Sequence, residues 1–309
     1  MLSVIIPAYN EEENIAAAAQ EISTVLVNSE IEFELVFVDD GSEDGTWDEI
    51  MRCAGLDGRV CGVCFSRNFG KEAAIFAGLE SAAGDCCVVM DADLQHPPEK
   101  IPEMYALWQQ GYDVIEGVKA DRGKESAAHS FAAKCFYKII SRAAGVDMEH
   151  ASDFKLLDRR VADVLLAMPE KQAFFRALSS WVGFNTAQVT YDVRERNAGA
   201  SKWSARSLIK YAVKNITSFS SAPMQAVTFL GAIVFVFSLV LSVWTLIQKI
   251  RGVALGGFTT VIIMIGFIGS VLMISLGIIG YYIEKIYEEI KGRPRYIISR
   301  VTPEFEERE

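Results

Sequence analysis

The sequence predicts an α/β protein with a mostly parallel sheet, followed by two helices long enough to cross a membrane. Three observations predict it. Within the first 116 residues, five short apolar runs rich in β-branched residues are each separated by one amphipathic stretch. Those runs are mostly continuous instead of alternating, the pattern of strands covered on both faces. Further on, no charged residue occurs between Lys214 and Lys249 or between Arg251 and Glu284. Each gap exceeds the roughly 20 apolar residues a helix needs to span about 30 Å of hydrocarbon.

In chain order the strands are expected at residues 3–7, 34–38, 60–65, 86–90 and 113–116, with helices at 12–27, 46–53, 71–82 and 98–109. One helix between successive strands gives parallel pairing and a two-sided cover. Residues 126–144 and 204–219 read as further helices. The first carries Lys134, Lys138 and Arg142 on one stripe, and the second Arg206, Lys210 and Lys214. Flanking the entry to an apolar span, both are expected to lie at a membrane surface with their cations toward lipid phosphates. The spans themselves are expected at 223–247 and 258–283.

Composition narrows the class further. At 51% apolar and 23% charged residues over 309 positions, disorder is excluded, and a mean hydropathy of +0.21 argues against a wholly soluble chain. The net charge of −10 is unevenly spread: residues 1–116 hold 23 acidic and 5 basic side chains, residues 117–215 hold 10 and 17. The acidic first part disfavours nucleic acid as a partner, and the basic middle suits an anionic lipid surface. Six thinly spread cysteines do not form a disulfide framework, and the single C-x-x-C, Cys61 to Cys64, falls inside an expected buried strand with no second pair to complete a zinc site. The N-terminus, MLSVIIPAYNEEEN, lacks a basic region followed by a long apolar one, so no signal peptide is expected.

Cations cluster before the first span, in the connection and after the second, which predicts both termini in the cytoplasm and a multi-pass protein of the inner membrane. The domain expectation is a cytoplasmic catalytic domain with its surface helices at 1–215, a two-helix anchor at 216–285 and a cytoplasmic tail at 286–309. Small residues in the spans, among them Ser238, Ser242, Gly266, Gly269, Gly277 and Gly280, would let helices approach closely enough for a homo-oligomer.

Ligands of parallel sheets sit beyond the carboxyl ends of the strands. There the sequence places Tyr9, Asn10 and Glu11 after the first strand, Asp39, Asp40, Gly41 and Ser42 after the second, and Asp91, Ala92, Asp93, Leu94 and Gln95 after the fourth. Carboxylates delivered to one rim by three strands repel one another unless a cation is present. In an extended segment Asp91 and Asp93 would project to one side. A sparse oxygen set of this kind suits Mg²⁺ or Mn²⁺ arriving with a diphosphate.

The strings VIIPAYNEEENI, FVDDGSEDGT, DADLQHPPE, SDFKLLDRRV, FFRALSSWVGF and RNAGASKW occur in this order. Together they resemble glycosyltransferase family 2, in the branch that loads sugars onto polyprenyl phosphates and that includes dolichol-phosphate mannose synthases and bactoprenol glucosyltransferases. The resemblance covers residues 1–285 and implies the GT-A nucleotide-sugar transferase fold. By it, Pro7, Tyr9, Glu11 and Asp39 match residues that hold the nucleotide base and ribose. Asp91 matches the ribose and metal contact, and Asp93 and Gln95 match metal ligands. Arg196 and Lys202 match cations that close over the diphosphate, Arg122 an acceptor-phosphate arginine, and Lys134 a second such contact. Asp153 matches a segment that carries a catalytic carboxylate, and Lys155 stands where relatives often have arginine.

The implied reaction is displacement at the anomeric carbon with one inversion, carrying a hexose, for which UDP-glucose is the expected donor, to undecaprenyl phosphate. The attacking phosphate is already anionic, since its second pKa is about 6, so Asp153 is open to a role as base or as orienting group. A dinucleotide oxidoreductase is disfavoured because no G-x-G-x-x-G follows the first strand. A processive polysaccharide synthase would add a Q-x-x-R-W segment and more spans. A non-catalytic nucleotide-sugar-binding scaffold would not need Asp91, Asp93, Gln95, Arg196 and Lys202 together.

Overall fold

A computed structural model of the chain describes residues 1–120, 152–170, 174–192, 222–252 and 257–306. The expected surface helices at 126–144 and 204–219 lie outside these residues. The chain divides into two compact units. One is Met1–Ala212 together with Pro294–Glu309, and the other is Val213–Arg293.

The first unit opens with β1 (Leu2–Ala8), α1 (Glu12–Asn28), β2 (Phe33–Asp39), α2 (Thr46–Leu56), β3 (Val60–Phe65), α3 (Lys71–Ser81) and β4 (Cys86–Val89). A short 3-10 turn, Pro98–Lys100, leads into α4 (Ile101–Gln109) and β5 (Val114–Lys119). Each lies within three residues of its expected bounds. After the undescribed stretch come β6 (Lys155–Asp158), α5 (Arg159–Ala167), α6 (Phe175–Trp181) and β7 (Thr186–Tyr191). Among the described residues the sheet has eight strands in the order β7-β5-β6-β4-β1-β2-β3-β8, where β8 is Ile298–Val301. β1 pairs in parallel with β2 and β4, β2 with β3, and β5 with β7. Only β6 and β8 run against the rest.

Alternate residues of each central strand go to opposite faces, as the period of two requires. Leu2, Val4 and Ile6 of β1 meet Ile15, Ile22 and Leu26 of α1 and Ile50 of α2 on one side. Val36 and Val38 of β2 meet Ala74 and Ala77 of α3 on the other. The C-x-x-C follows the same rule: Cys64 belongs to the first cluster and Cys61 to the second, so the two thiols face apart and serve as core. Gly78 lets α3 lie close on β1, since a Cβ there would fall 2.2 Å from Ile5 Cγ2.

The residues expected as a tail differ from that expectation. The segment after the second apolar helix re-enters the first unit, pairing β8 with β3 and ending in the short helix α9 (Pro303–Glu306). Its sequence, IISRV, is short and half polar, so pattern alone gives it no strand signal. An open β3 edge supplies the hydrogen bonds instead.

The second unit consists of α7 (Ala222–Ile250) and α8 (Phe258–Ile290), which pack on each other. Met224–Ile250 and Met264–Ile290 have mean hydropathies of 2.6 and 2.0 and are long and apolar enough to cross a membrane. None of either window is buried within the protein, leaving Phe229, Phe235, Trp244, Ile265 and Met273 exposed. Apolar faces of this extent require a covering.

The turn after β2 brings backbones into contact that no side chain could enter. Gly41 has φ +66°, and a Cβ there would lie 2.4 Å from the Arg67 carbonyl carbon. Gly41→Ala is expected to destabilise the first unit by about 2 kcal/mol or more through strain and overlap. Thermal unfolding of the full chain checks this, and an unchanged midpoint would refute the packing described.

Candidate active site

The carboxyl ends of β1, β2 and β4 form one rim, and the loops there are shaped by two left-handed residues other than glycine, Asn10 (φ 53°) and Leu94 (φ 56°). Such conformations cost about 1–2 kcal/mol for an L-residue and concentrate at functional sites. β4 stops at Val89, and Ala92 and Asp93 lie in a turn. The expectation of an extended segment through Asp91 and Asp93 is therefore corrected: the strand ends before them and the chain turns at Ala92 and Asp93, so strand alternation does not set their directions. Asp93 instead accepts Gln95 N–H at 3.2 Å, bracing the loop. Asp91 N–H donates to His96 Nδ1 at 3.3 Å. His96 is stacked on Phe154 with ring centres 5.0 Å apart and lies edge-on to Tyr191. Burial pushes its pKa down, so the ring stays neutral and Nδ1 can accept.

Asp91 is joined from α3. Lys71 Nζ lies 2.5 Å from Asp91 Oδ1 and 2.8 Å from Asp153 Oδ2. A lysine at the first position of a helix opposes the positive end of the helix dipole, and these two carboxylates compensate it. Asp153 is also gripped by Arg176 of α6, Nε to Oδ1 and Nη2 to Oδ2, both at 2.6 Å. This fork matches the carboxylate geometry. Although burial acts to raise it, the two cations hold Asp153 well below the usual carboxylate range.

Three residues hold this cluster in place. Lys155, fully buried, donates to Glu116 at 2.5 Å and to Ser179 at 2.8 Å, tying α6 to β5 and β6. Its ammonium thus supports the helix that carries Arg176. Glu72 accepts Phe175 N–H at 2.8 Å, fixing the start of α6 against α3. Burial, reinforced by Asp153, raises Glu72 to about 7. Asp40 accepts the N–H groups of Phe69 and Gly70, anchoring the loop before α3, and burial raises it to about 6.

Of the expected nucleotide residues, Pro7, Tyr9, Glu11 and Asp39 all lie on the rim formed by β1 and β2. Asp39 is buried, and its Oδ1 accepts Ser42 N–H and Oγ–H. Glu11 accepts from Asn14 at 2.6 Å. Arg122, Lys134, Arg196 and Lys202 lie outside the described residues. Lys71, Arg176 and Glu72 carried no role in the sequence reading. Their signals were a lysine directly after N-F-G at a helix start and a lone arginine in the apolar run FFRAL.

Among the described residues, no group of three or more Asp, Glu, His or Cys side chains could hold a metal ion unaided. Asp91, Asp93 and Gln95 nonetheless fit Mg²⁺ or Mn²⁺ in kind. They are hard oxygen donors, few in number, as suits a cation that keeps other ligands from a phosphate.

Residues 3–164 match the family described as Glycosyl transferase family 2. The chain is 37% identical over 300 residues to an uncharacterized glycosyltransferase of Synechocystis sp., covering 96% of this chain and 94% of that protein. It is 36% identical over 301 residues to the SfII prophage-derived bactoprenol glucosyl transferase of Shigella flexneri, covering 97% of each. Among solved structures, it is similar to glucosyl-3-phosphoglycerate synthase from Mycobacterium tuberculosis in complex with uridine diphosphate. That match has a TM-score of 0.48 and 21% identity, covering 71% of this chain and 79% of the other.

Glu72 gives a pH signature. Its folded pKa of about 7 lies above the ordinary 4.5, so its stabilising contribution is full below about 4.5 and is lost as pH rises through 7. From this group thermal stability is expected to fall between about pH 4.5 and 7, and Glu72→Gln, which keeps an acceptor for Phe175 N–H, should flatten that fall. An identical pH profile in the variant would contradict the assignment.

Proposed function

The chain belongs to glycosyltransferase family 2, and on that premise we propose that it transfers one hexose, with inversion, from a nucleotide sugar to a polyprenyl phosphate at the cytoplasmic face of a membrane. UDP-glucose is the proposed donor and undecaprenyl phosphate the proposed acceptor. The observation that carries the reading is the Lys71–Asp91–Asp153–Arg176 cluster, gathered at the strand rim from four separate segments. The near full-length likeness to a bactoprenol glucosyl transferase, apolar helices included, supports the choice of acceptor.

An anionic phosphate must approach an anionic diphosphate sugar, so the site has to supply positive charge. Lys71 is the described cation suited to that task, because its side chain is 41% exposed while it is held between two carboxylates. Asp153 acts as an orienting group. Three N–H contacts from two cations occupy its oxygens, and an acceptor already ionised at neutral pH needs no strong base. Tyr9, Glu11 and Asp39 hold the base and ribose. Asp91, Asp93 and Gln95 hold Mg²⁺ or Mn²⁺, which when bound supplies Lewis-acid stabilisation of the departing diphosphate. Arg196 and Lys202 close over that diphosphate, and Arg122 with Lys134 receives the acceptor phosphate.

The lipid acceptor explains the second unit. Its headgroup stays at the bilayer surface, so a site working on it must be anchored there, and α7 and α8 are the anchor. Because β8 shares a sheet with β1–β5, the chain leaves for the membrane and returns on the same side, which makes the number of crossings even. The flanking lysines and arginines assign that side to the cytoplasm.

Membranes containing the protein, supplied with radiolabelled UDP-glucose and undecaprenyl phosphate, should yield a chloroform-soluble product with a single sugar. A polymer or no product would overturn the reading. Asp93→Ala and chelation should each abolish turnover while membrane insertion persists; full activity under both would remove the metal assignment. Lys71→Ala should lower kcat roughly a hundredfold, the order found when one charge-stabilising donor is removed, and an undiminished kcat would exclude Lys71 from the reacting centre.

A further inference from the structure

The strand that follows the second apolar helix reaches one of the nucleotide residues through the sheet register. Arg300 of β8 lies opposite Cys64 of β3, and Cys64 lies opposite Asp39 of β2. Directly opposed residues share a face, so Asp39, Cys64 and Arg300 form one cross-strand row near the carboxyl ends of β2 and β3. The side-chain contacts follow the row. Arg300 Nη2 donates to Cys64 Sγ at 3.4 Å, and Cys64 Sγ donates to Asp39 Oδ2 at 3.2 Å. A thiol is both a weak donor and a weak acceptor, so it can serve both neighbours at once.

The surroundings favour that arrangement. Burial, then the nearby Asp39, raises the Cys64 thiol, so it keeps the proton it donates. The Arg300 guanidinium sits over the Trp47 ring at 5.2 Å, which fixes its direction. Contacts independent of Arg300 pin the segment: Ser299 Oγ donates to Cys64 O at 3.1 Å, Thr302 exchanges hydrogen bonds with Gly62, and Tyr296 stacks on Phe65 with ring centres 4.9 Å apart. The backbone therefore sets where Arg300 stands, and Cys64 is what it meets.

We propose that Arg300 is a positioning residue for the nucleotide half of the transfer site, acting through the Cys64 thiol on the Asp39 carboxylate. This rests on the reading of Asp39 as a base or ribose contact. Arg300 touches no reacting atom. It backs the buried carboxylate with a cation and keeps Oδ2 oriented while Ser42 holds Oδ1. The membrane anchor and the nucleotide site thereby share a segment, because Arg300 lies ten residues beyond Ile290, where α8 ends.

The test uses the full chain in vesicles, with UDP-glucose and undecaprenyl phosphate varied in turn. Arg300→Ala and Cys64→Ala should each raise the KM for UDP-glucose roughly three- to ten-fold, as expected for losing a modest hydrogen-bonded link. The KM for the lipid should not move. The double variant should be no worse than the weaker single one, because both remove the same link, while Arg300→Lys and Cys64→Ser should each recover part of the loss. Additive effects, an equal rise in both KM values or an unmoved KM for UDP-glucose would overturn the proposal. If Arg300→Ala loses its fold, Cys64→Ala carries the test, since it leaves the β8 pairing in place. Asp39→Asn separates the two levels. An unchanged KM for UDP-glucose in that variant removes the nucleotide role of Asp39 and this proposal with it; a raised value there, with Arg300→Ala silent, removes Arg300 alone.

Discussion

The pairing of Asp153 with two cations is the constraint from which the rest of the site follows. A carboxylate with 5% of its side chain exposed is costly to keep ionised unless opposite charge reaches it. Lys71 and Arg176 do so from two different helices. Holding both in reach requires α3 and α6 to stand at fixed positions against the sheet, and each is fixed by its own buried group. Glu72 binds the start of α6, Lys155 and Glu116 bind its middle, and Asp40 binds the loop before α3. The polar network is thus continuous from the rim to the interior of the unit, and its members satisfy one another.

The rim collects the carboxylates that follow β2 and β4 together with the helix-borne cations. The final strand belongs to the same sheet. After the second apolar helix the chain returns to pair with β3, so that β8 becomes the outer strand of the sheet on that side.

Much of this was legible in the sequence. The first four strands and helices appear as apolar runs and amphipathic stretches whose signals are local, and β1 through β5 fall where those signals put them. The two apolar helices are equally plain. The D-A-D-L-Q string marked the rim, and the resemblance supplied roles for residues on it. What could not be read was any pairing between segments far apart in the chain. Lys71 and Asp153 are 82 positions apart, and nothing local to either predicts the other. Strand alternation was expected to set the direction of Asp91 and Asp93, but β4 ends at Val89 and the chain turns at Ala92 and Asp93, so that the period of two does not apply there.

The sequence by itself determined the class of the protein: which segments bury, which are long and apolar enough to cross a membrane, and which strand ends carry carboxylates, because periodicity and charge-free length are properties of each segment alone. Tertiary structure alone decided which charges compensate which, that residues 298–301 add a strand to β3, and that Arg300 shares a row with Asp39. Those outcomes depend on register and on burial, and both are properties of chain segments brought together, not of any segment read in isolation.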